Sequence, residues 1–163
     1  MSPRPVDFKG VLFDTDATHF GPRRKLEYML GNNRAAAWGK VQYFVEQLNA
    51  DDLVFFYEKG VGVVAVGRIV DGKVYHSPNG RESWVDVEIL SPKPGTYSVV
   101  PPGLSPSEIQ DITGKTFYWP RTIKTPTLNY QEVTNLKEAL LRRITDLNRD
   151  LPDGTRAKRI SRR

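Results

Sequence analysis

The sequence predicts an α+β fold: a mixed β pseudo-barrel of five to six strands with covering helices. Three observations carry that expectation. Two strongly β-forming runs, Leu53–Glu58 and residues 61–70, flank a Lys-Gly-Val-Gly connection. Asp71-Gly72 then supplies a two-residue hairpin signal, because both central positions of such a turn need positive φ. Helical apolar spacing lies before and after this β-rich centre, and nothing after Val70 supplies a crossover helix. A compact mixed barrel with helical cover is therefore expected over a doubly wound parallel sheet.

The elements follow in order. Residues 8–15 (FKGVLFDT) read as a first strand, rich in Val and Phe. Gly21-Pro22 opens a basic segment, Arg23-Arg24-Lys25, that leads into a short helix stopping near Gly31. Residues 35–48 read as a better helix, with Val41, Phe44, Val45 and Leu48 on one apolar face. Residues 49–52 are turn-like and end it. After the two central strands, residues 73–76 return as a short strand and 77–80 form a loop. Residues 83–90 (SWVDVEIL) alternate strictly, with Trp84, Asp86 and Glu88 on one face and Val85, Val87 and Ile89 on the other.

Residues 103–114 read as a short helix. Ser105-Pro106-Ser107-Glu108 offers a cap serine, a proline at the first helical position and a glutamate placed to close a capping box. Residues 115–124 (KTFYWPRTIK) read as an aromatic, extended segment. A final helix over 130–149 buries Leu136, Leu140, Ile144 and Leu147. Residues 1–153 are expected to form a single domain, and 154–163 a basic, disordered tail.

Composition narrows the function classes. The chain has 163 residues, no cysteine and two histidines. Disulfides, thiolate nucleophiles and Cys-based metal sites are excluded, and a histidine-built zinc site is not expected from His19 and His76 alone, both read as loop residues. No apolar run reaches the roughly 18 residues of a membrane span, and the N-terminus lacks a signal-peptide pattern. A cytoplasmic monomer, nuclear in a eukaryote, is the expectation. The formal charge is +5, and the last ten residues alone carry five basic groups and no acid. The remaining 153 residues hold 19 basic and 19 acidic groups. The tail, with Arg159 at its centre, is thus suited to sequence-independent contact with phosphates.

No P-loop, GxGxxG, GxSxG, HExxH or EF-hand pattern occurs, and Gly60-Val61-Gly62 reads as a tight turn. Asp14 and Asp16 lack a third acid nearby, so no metal or other cofactor and no catalytic set is singled out. The aromatic residues are the remaining signal. Trp84 shares a strand face with two carboxylates, which suits a cleft wall. Phe117-Tyr118-Trp119-Pro120-Arg121 places rings beside a cation. Flat rings stack on bases at about 1–3 kcal/mol each.

These residues lead to a resemblance. Asn33-Arg34 before Trp38, then Asp52-Leu53-Val54-Phe55-Phe56-Tyr57, then Gly62-Val63-Val64-Ala65-Val66-Gly67-Arg68-Ile69, resemble the pattern of the EVE domain. EVE domains belong to the PUA-like superfamily, with ASCH and YTH domains as relatives. Asp51-Asp52 stands where that family has Gly-Asp, and Trp84-Val85-Asp86-Val87 resembles its later "W-x-x-V" strand. The match covers about 33–90, half of the chain. The first strand matches less well, and the part after Pro101 does not align.

The resemblance implies a pseudo-barrel that holds a single nucleobase, often a modified one, flipped from DNA or present in RNA. It places Asn33, Trp38 and Tyr57 near the pocket mouth. Trp84, Tyr118 and Trp119 join them from the physical reading. Arg23, Arg24, Lys25, Arg34, Arg121 and Arg159 are the expected phosphate contacts. Related domains occur fused to restriction nucleases, so a specificity module serving an effector nuclease in trans is one expectation. The competing reading is a small ASCH-like hydrolase of modified nucleosides, for which Thr15, Lys25 and Glu58 are available. A pure interaction domain, with the rings packed inside, is the third.

Overall fold

The structure, a computed structural model, describes residues 8–15, 19–20, 23–91, 103–116 and 127–150, with the backbone alone at 19–20, 23–24 and 147–150. Its strands are β1 (Gly10–Asp14), β2 (His19–Phe20), β3 (Arg23–Arg24), β4 (Arg34–Trp38), β5 (Leu53–Glu58), β6 (Gly62–Ile69), β7 (Tyr75–His76) and β8 (Glu82–Ile89). Its α-helices are α1 (Lys25–Gly31), α2 (Pro106–Thr113) and α3 (Tyr130–Asp150), and a 3-10 helix spans Gly39–Gln47. The main sheet runs β1-β5-β6-β8-β4, with β7 on β8, and curls into a half-barrel. The expected α+β, barrel-like class therefore holds.

Alternation along β5 shows how the sheet divides the core. Val54 and Phe56 point into the curl, where Phe13 meets Phe56 edge-on at 6.3 Å. Phe55 points the other way, under α2 and α3, among Leu12, Val66, Leu136 and Leu140. Both phenylalanines are fully buried. The Phe-Phe-Tyr run thus packs the two sides of the sheet, and side chains fill the interior of the curl.

Two glycines permit the closest approaches. Gly10 seats α3, since a Cβ there would lie 2.6 Å from Val133 Cγ1. Gly62 has φ +114°, and its Cβ would lie 2.4 Å from the Leu104 carbonyl oxygen. That contact lets Val63 and Leu104 exchange backbone hydrogen bonds at 3.0 and 2.9 Å, which ties the start of α2 to β6. The Ser105 capping box forms as read from the sequence, and Gly114 ends α2 in the left-handed conformation.

Three sequence expectations are corrected. Residues 35–48 do not form one helix: Arg34–Trp38 is a strand paired with β8, and the 3-10 helix begins only at Gly39. The three-residue spacing of Val41 and Phe44 suits a 3-10 helix as well as an α-helix. Ala35, Ala36 and Ala37 are small enough to be buried on both faces of a strand, and Gly39, at φ +62°, breaks the chain direction. Asp71-Gly72 does turn with Gly72 at φ +76°, but the segments it joins do not pair. Both β6 and β7 pair with β8 instead, so the turn moves the chain along one partner strand. His19 and His76 lie in two-residue strands, not loops. The sheet is mixed, as expected: β1 and β5 pair in parallel, with α1, β4 and the 3-10 helix providing the crossover between them, and the other pairs are antiparallel.

Candidate functional site

The β4–β8 pairing builds the site. Its register sets Arg34 against Asp86, Ala36 against Trp84 and Trp38 against Glu82. Alternation brings these six side chains to one face. Tyr75 of β7 lies opposite Trp84 and adds a ring. The small Ala36 between Arg34 and Trp38 leaves room for the Trp84 indole. Tyr28 comes from α1, which packs against β4.

The result is a row of half-buried rings interleaved with cations. The Arg34 guanidinium carbon lies 3.9 Å from the centre of the Trp84 ring. Tyr75 stacks on Trp84 at 5.8 Å with an 18° interplanar angle, and Lys73 Nζ lies 5.1 Å from the Tyr75 ring. On the other side Tyr28 leans on Trp38 at 5.9 Å, and Lys25 Nζ lies 4.7 Å from the Trp38 ring. Each such cation–ring contact contributes about 0.5–1 kcal/mol when exposed and about 2 when desolvated.

A polar knot joins the two halves of the row. The Tyr28 hydroxyl donates to Glu82 Oε1 and Oε2 at 2.9 and 2.8 Å. Arg34 Nη1 donates to the Tyr28 oxygen at 2.8 Å and lies 3.5 Å from Glu82 Oε2. Burial, and then the bond to Glu82, push the Tyr28 phenol above its usual range, so it remains a donor at neutral pH. Arg34 and Glu82 side chains are only 20% and 12% exposed. Arg34 Nε is buried and has no hydrogen-bond partner among the described residues. An unmet buried donor of this kind costs about 1–3 kcal/mol.

The expected site residues divide accordingly. Trp38, Trp84, Arg34 and Lys25 come together. Arg34, expected at a phosphate, is stacked on Trp84 and held by Glu82, and Lys25 lies over a ring. Asn33 precedes β4 in the left-handed region at φ 55°, is exposed, and accepts from the Val87 N–H through its carbonyl. Tyr57 alternates to the α2–α3 side of the sheet, away from the two tryptophans. Burial and the nearby Asp14 carboxylate raise its phenol pKa. Tyr118, Trp119, Arg121, Arg159 and the 154–163 tail lie outside the described residues, and only the backbone of Arg23 and Arg24 is described.

Sequence reasoning missed Tyr28, Tyr75, Glu82 and Lys73. The spacing Lys25, Tyr28 on a helix was a usable signal. The contribution of Tyr75 and Glu82 depends on strand register, which local pattern does not specify.

Two further places lie away from this face. Thr15 and Glu58 are buried side by side where β1 and β5 end, and the Thr15 hydroxyl donates to the Tyr57 carbonyl at 3.1 Å. A surface cavity of about 390 Å³ lies between α3 and the starts of β1 and β5, with Tyr130, Lys9 and Lys137 in its lining. Among the described residues no cluster of three His, Asp or Glu side chains is arranged to hold a metal. No described helix is long and apolar enough to cross a membrane.

Fold and site together define an α+β half-barrel domain with a half-buried aromatic–cation face. Comparison with protein-family models, curated proteins and solved structures finds no match.

Proposed function

We propose that this chain is a nucleic-acid-binding reader that receives a single, modified base on the β4–β8 face and has no catalytic role of its own. The observation that supports this reading is the row Lys73, Tyr75, Trp84, Arg34, Tyr28, Trp38, Lys25. Aromatic platforms interleaved with cations are what a single strand needs: rings for base stacking and positive charge for the phosphates. Glu82 and the Tyr28 hydroxyl add polar groups that read a base edge. The resemblance to EVE domains favours the same assignment, and an effector nuclease acting in trans is the partner it suggests. The PUA-like form of the barrel belongs to this proposal.

The test is a titration of the full chain with labelled single-stranded and duplex oligonucleotides, DNA and RNA, with and without modified bases. Anisotropy reports binding and intrinsic tryptophan fluorescence reports the site. Binding accompanied by quenching supports the reading. Absence of binding to every oligonucleotide at low salt refutes it.

A second reading is hydrolysis of a modified nucleoside, favoured by the buried Thr15–Glu58 pair. Its third member, Lys25, lies over Trp38. Incubation with acylated cytidines, followed by chromatography, decides it: product formation abolished by Lys25→Ala would place this reading first.

A further inference from the structure

The Trp84 site already contains a planar cation. The Arg34 guanidinium lies on the indole, with Nη1 directed at the Tyr28 oxygen and the Glu82 carboxylate. A flat, positively charged group with an N–H edge therefore matches all three components at once. The guanidinium is an imperfect occupant, because Nε is buried without an acceptor among the described residues. A bound base that takes its seat releases that donor to solvent or to a phosphate.

The exchange has a strict charge condition. Glu82 is 12% exposed, and Arg34 is the cation paired with it. A neutral base in the seat of Arg34 leaves a largely buried carboxylate without its counter-charge, which is costly. A cationic base preserves the pairing, and stacking on tryptophan favours a cation further. The base must also donate from its edge, since Glu82 only accepts when ionised. An N7-alkylated guanine meets each requirement. It is flat, its alkylated imidazole ring carries positive charge, and its N1–H and 2-amino group form the same two-donor edge as a guanidinium.

We infer that the Trp84–Tyr28–Glu82 site selects a cationic, N7-alkylated guanine, and that Arg34 occupies the site in its absence. This rests on the reader function proposed above and specifies its base. Upon binding, Arg34 leaves the indole and becomes available to the phosphate beside the base. No covalent step is involved.

At pH 5.5, where both 7-methyl nucleosides keep the N1 proton, three nucleosides separate the requirements: 7-methylguanosine has charge and edge, guanosine has the edge without the charge, and 7-methylinosine has charge without the 2-amino donor. Tryptophan-fluorescence titration of the full chain should show 7-methylguanosine binding at least tenfold more tightly than either of the others. Glu82→Gln, which keeps the shape of the site, should reduce the preference over guanosine to less than threefold. Arg34→Ala, which removes the resident cation, should bind 7-methylguanosine at least fivefold more tightly than the parent. Circular dichroism establishes that each variant is folded, and the parent's own three-way comparison stands independently of the variants. Equal or tighter binding of guanosine by the parent overturns the inference. If oligonucleotides still bind with quenching in that case, the reader function stands and only its base is wrong. If neither nucleosides nor oligonucleotides bind, both fail.

Discussion

Trp84→Ala distinguishes a binding surface from a core packing residue, because the two roles predict different balances of stability and affinity. A fully buried tryptophan cut to alanine costs about 3–5 kcal/mol. Trp84 is partly buried: it packs against the main core cluster, and its outer contacts are Arg34 and Tyr75, with the small Ala36 across the strand pair. Roughly half of that, about 1.5–2.5 kcal/mol, is lost, together with a cation–ring contact of about 0.5–1 kcal/mol, for a total of about 2–3.5 kcal/mol. In a domain of this size each kcal/mol lowers Tm by roughly 2–4 °C, so the variant should melt roughly 4–14 °C below the parent. One lost base stack is worth about 1–3 kcal/mol, so oligonucleotide affinity should fall tenfold or more. Thermal melts followed by circular dichroism, with anisotropy titrations of the same preparation, measure both quantities. A variant that is folded and binds as tightly as the parent refutes the placement of the site. One that is unfolded at room temperature identifies the indole as core.

Four other outcomes are expected, three from the geometry and one from the charge of the C-terminal tail. Trp38→Ala should remain folded and lose oligonucleotide affinity tenfold or more, while Tyr130→Ala, on the separate α3 cavity, should bind as the parent does; the same titration compares them. Gly62→Ala should destabilise by more than about 2 kcal/mol, since φ +114° and the Leu104 carbonyl both oppose a Cβ there; denaturant unfolding reads the change in midpoint. Glu108 accepts from the Ser105 N–H and from Arg143, and the backbone bond is the larger cause holding its carboxyl below the usual range. Its contribution to stability is therefore complete above the unfolded carboxyl's pKa and is lost as pH falls through the lower folded value. Melts between pH 6 and pH 2 should show an acid loss that is smaller in Glu108→Gln, and an identical pH profile in that variant would contradict the assignment. Deleting residues 155–163 should weaken all oligonucleotides about equally and flatten the salt dependence, leaving preference among bases intact; an unchanged salt slope would remove the tail from the phosphates.

What was legible in the sequence was local. The strand at Glu82–Ile89 follows from strict alternation, and the α2 cap from Ser-Pro-Ser-Glu, because each is a short-range pattern with one physical solution. The helix expected across residues 35–48 failed for a non-local reason. Three alanines have strong intrinsic helix propensity, but here the gain from pairing with β8 and burying both faces outweighs it. The parallel β1–β5 pair was invisible because no crossover was sought in a segment rich in short elements. In the site, Trp84 was recognisable as a ring beside carboxylates, and Trp38 came from its place in the resembled motif. Tyr57 was carried to the wrong side by its place in a motif, although alternation from Phe56 already put it on the opposite face. Tyr28, Tyr75 and Glu82 were not recognisable, since only the register of β4, β7 and β8 brings them to Arg34.

Contact between nucleic acid and the rings of the β4–β8 face is tested most directly by photo-crosslinking. The full chain is irradiated with a single-stranded oligonucleotide carrying 5-bromouracil at each position in turn, and the crosslinked peptides are mapped by mass spectrometry. Adducts are expected at Trp84, Trp38, Tyr28 or Tyr75, reduced by Trp84→Ala and retained when residues 155–163 are deleted. Adducts confined to other surfaces, or none at a concentration where anisotropy shows saturation, would contradict it.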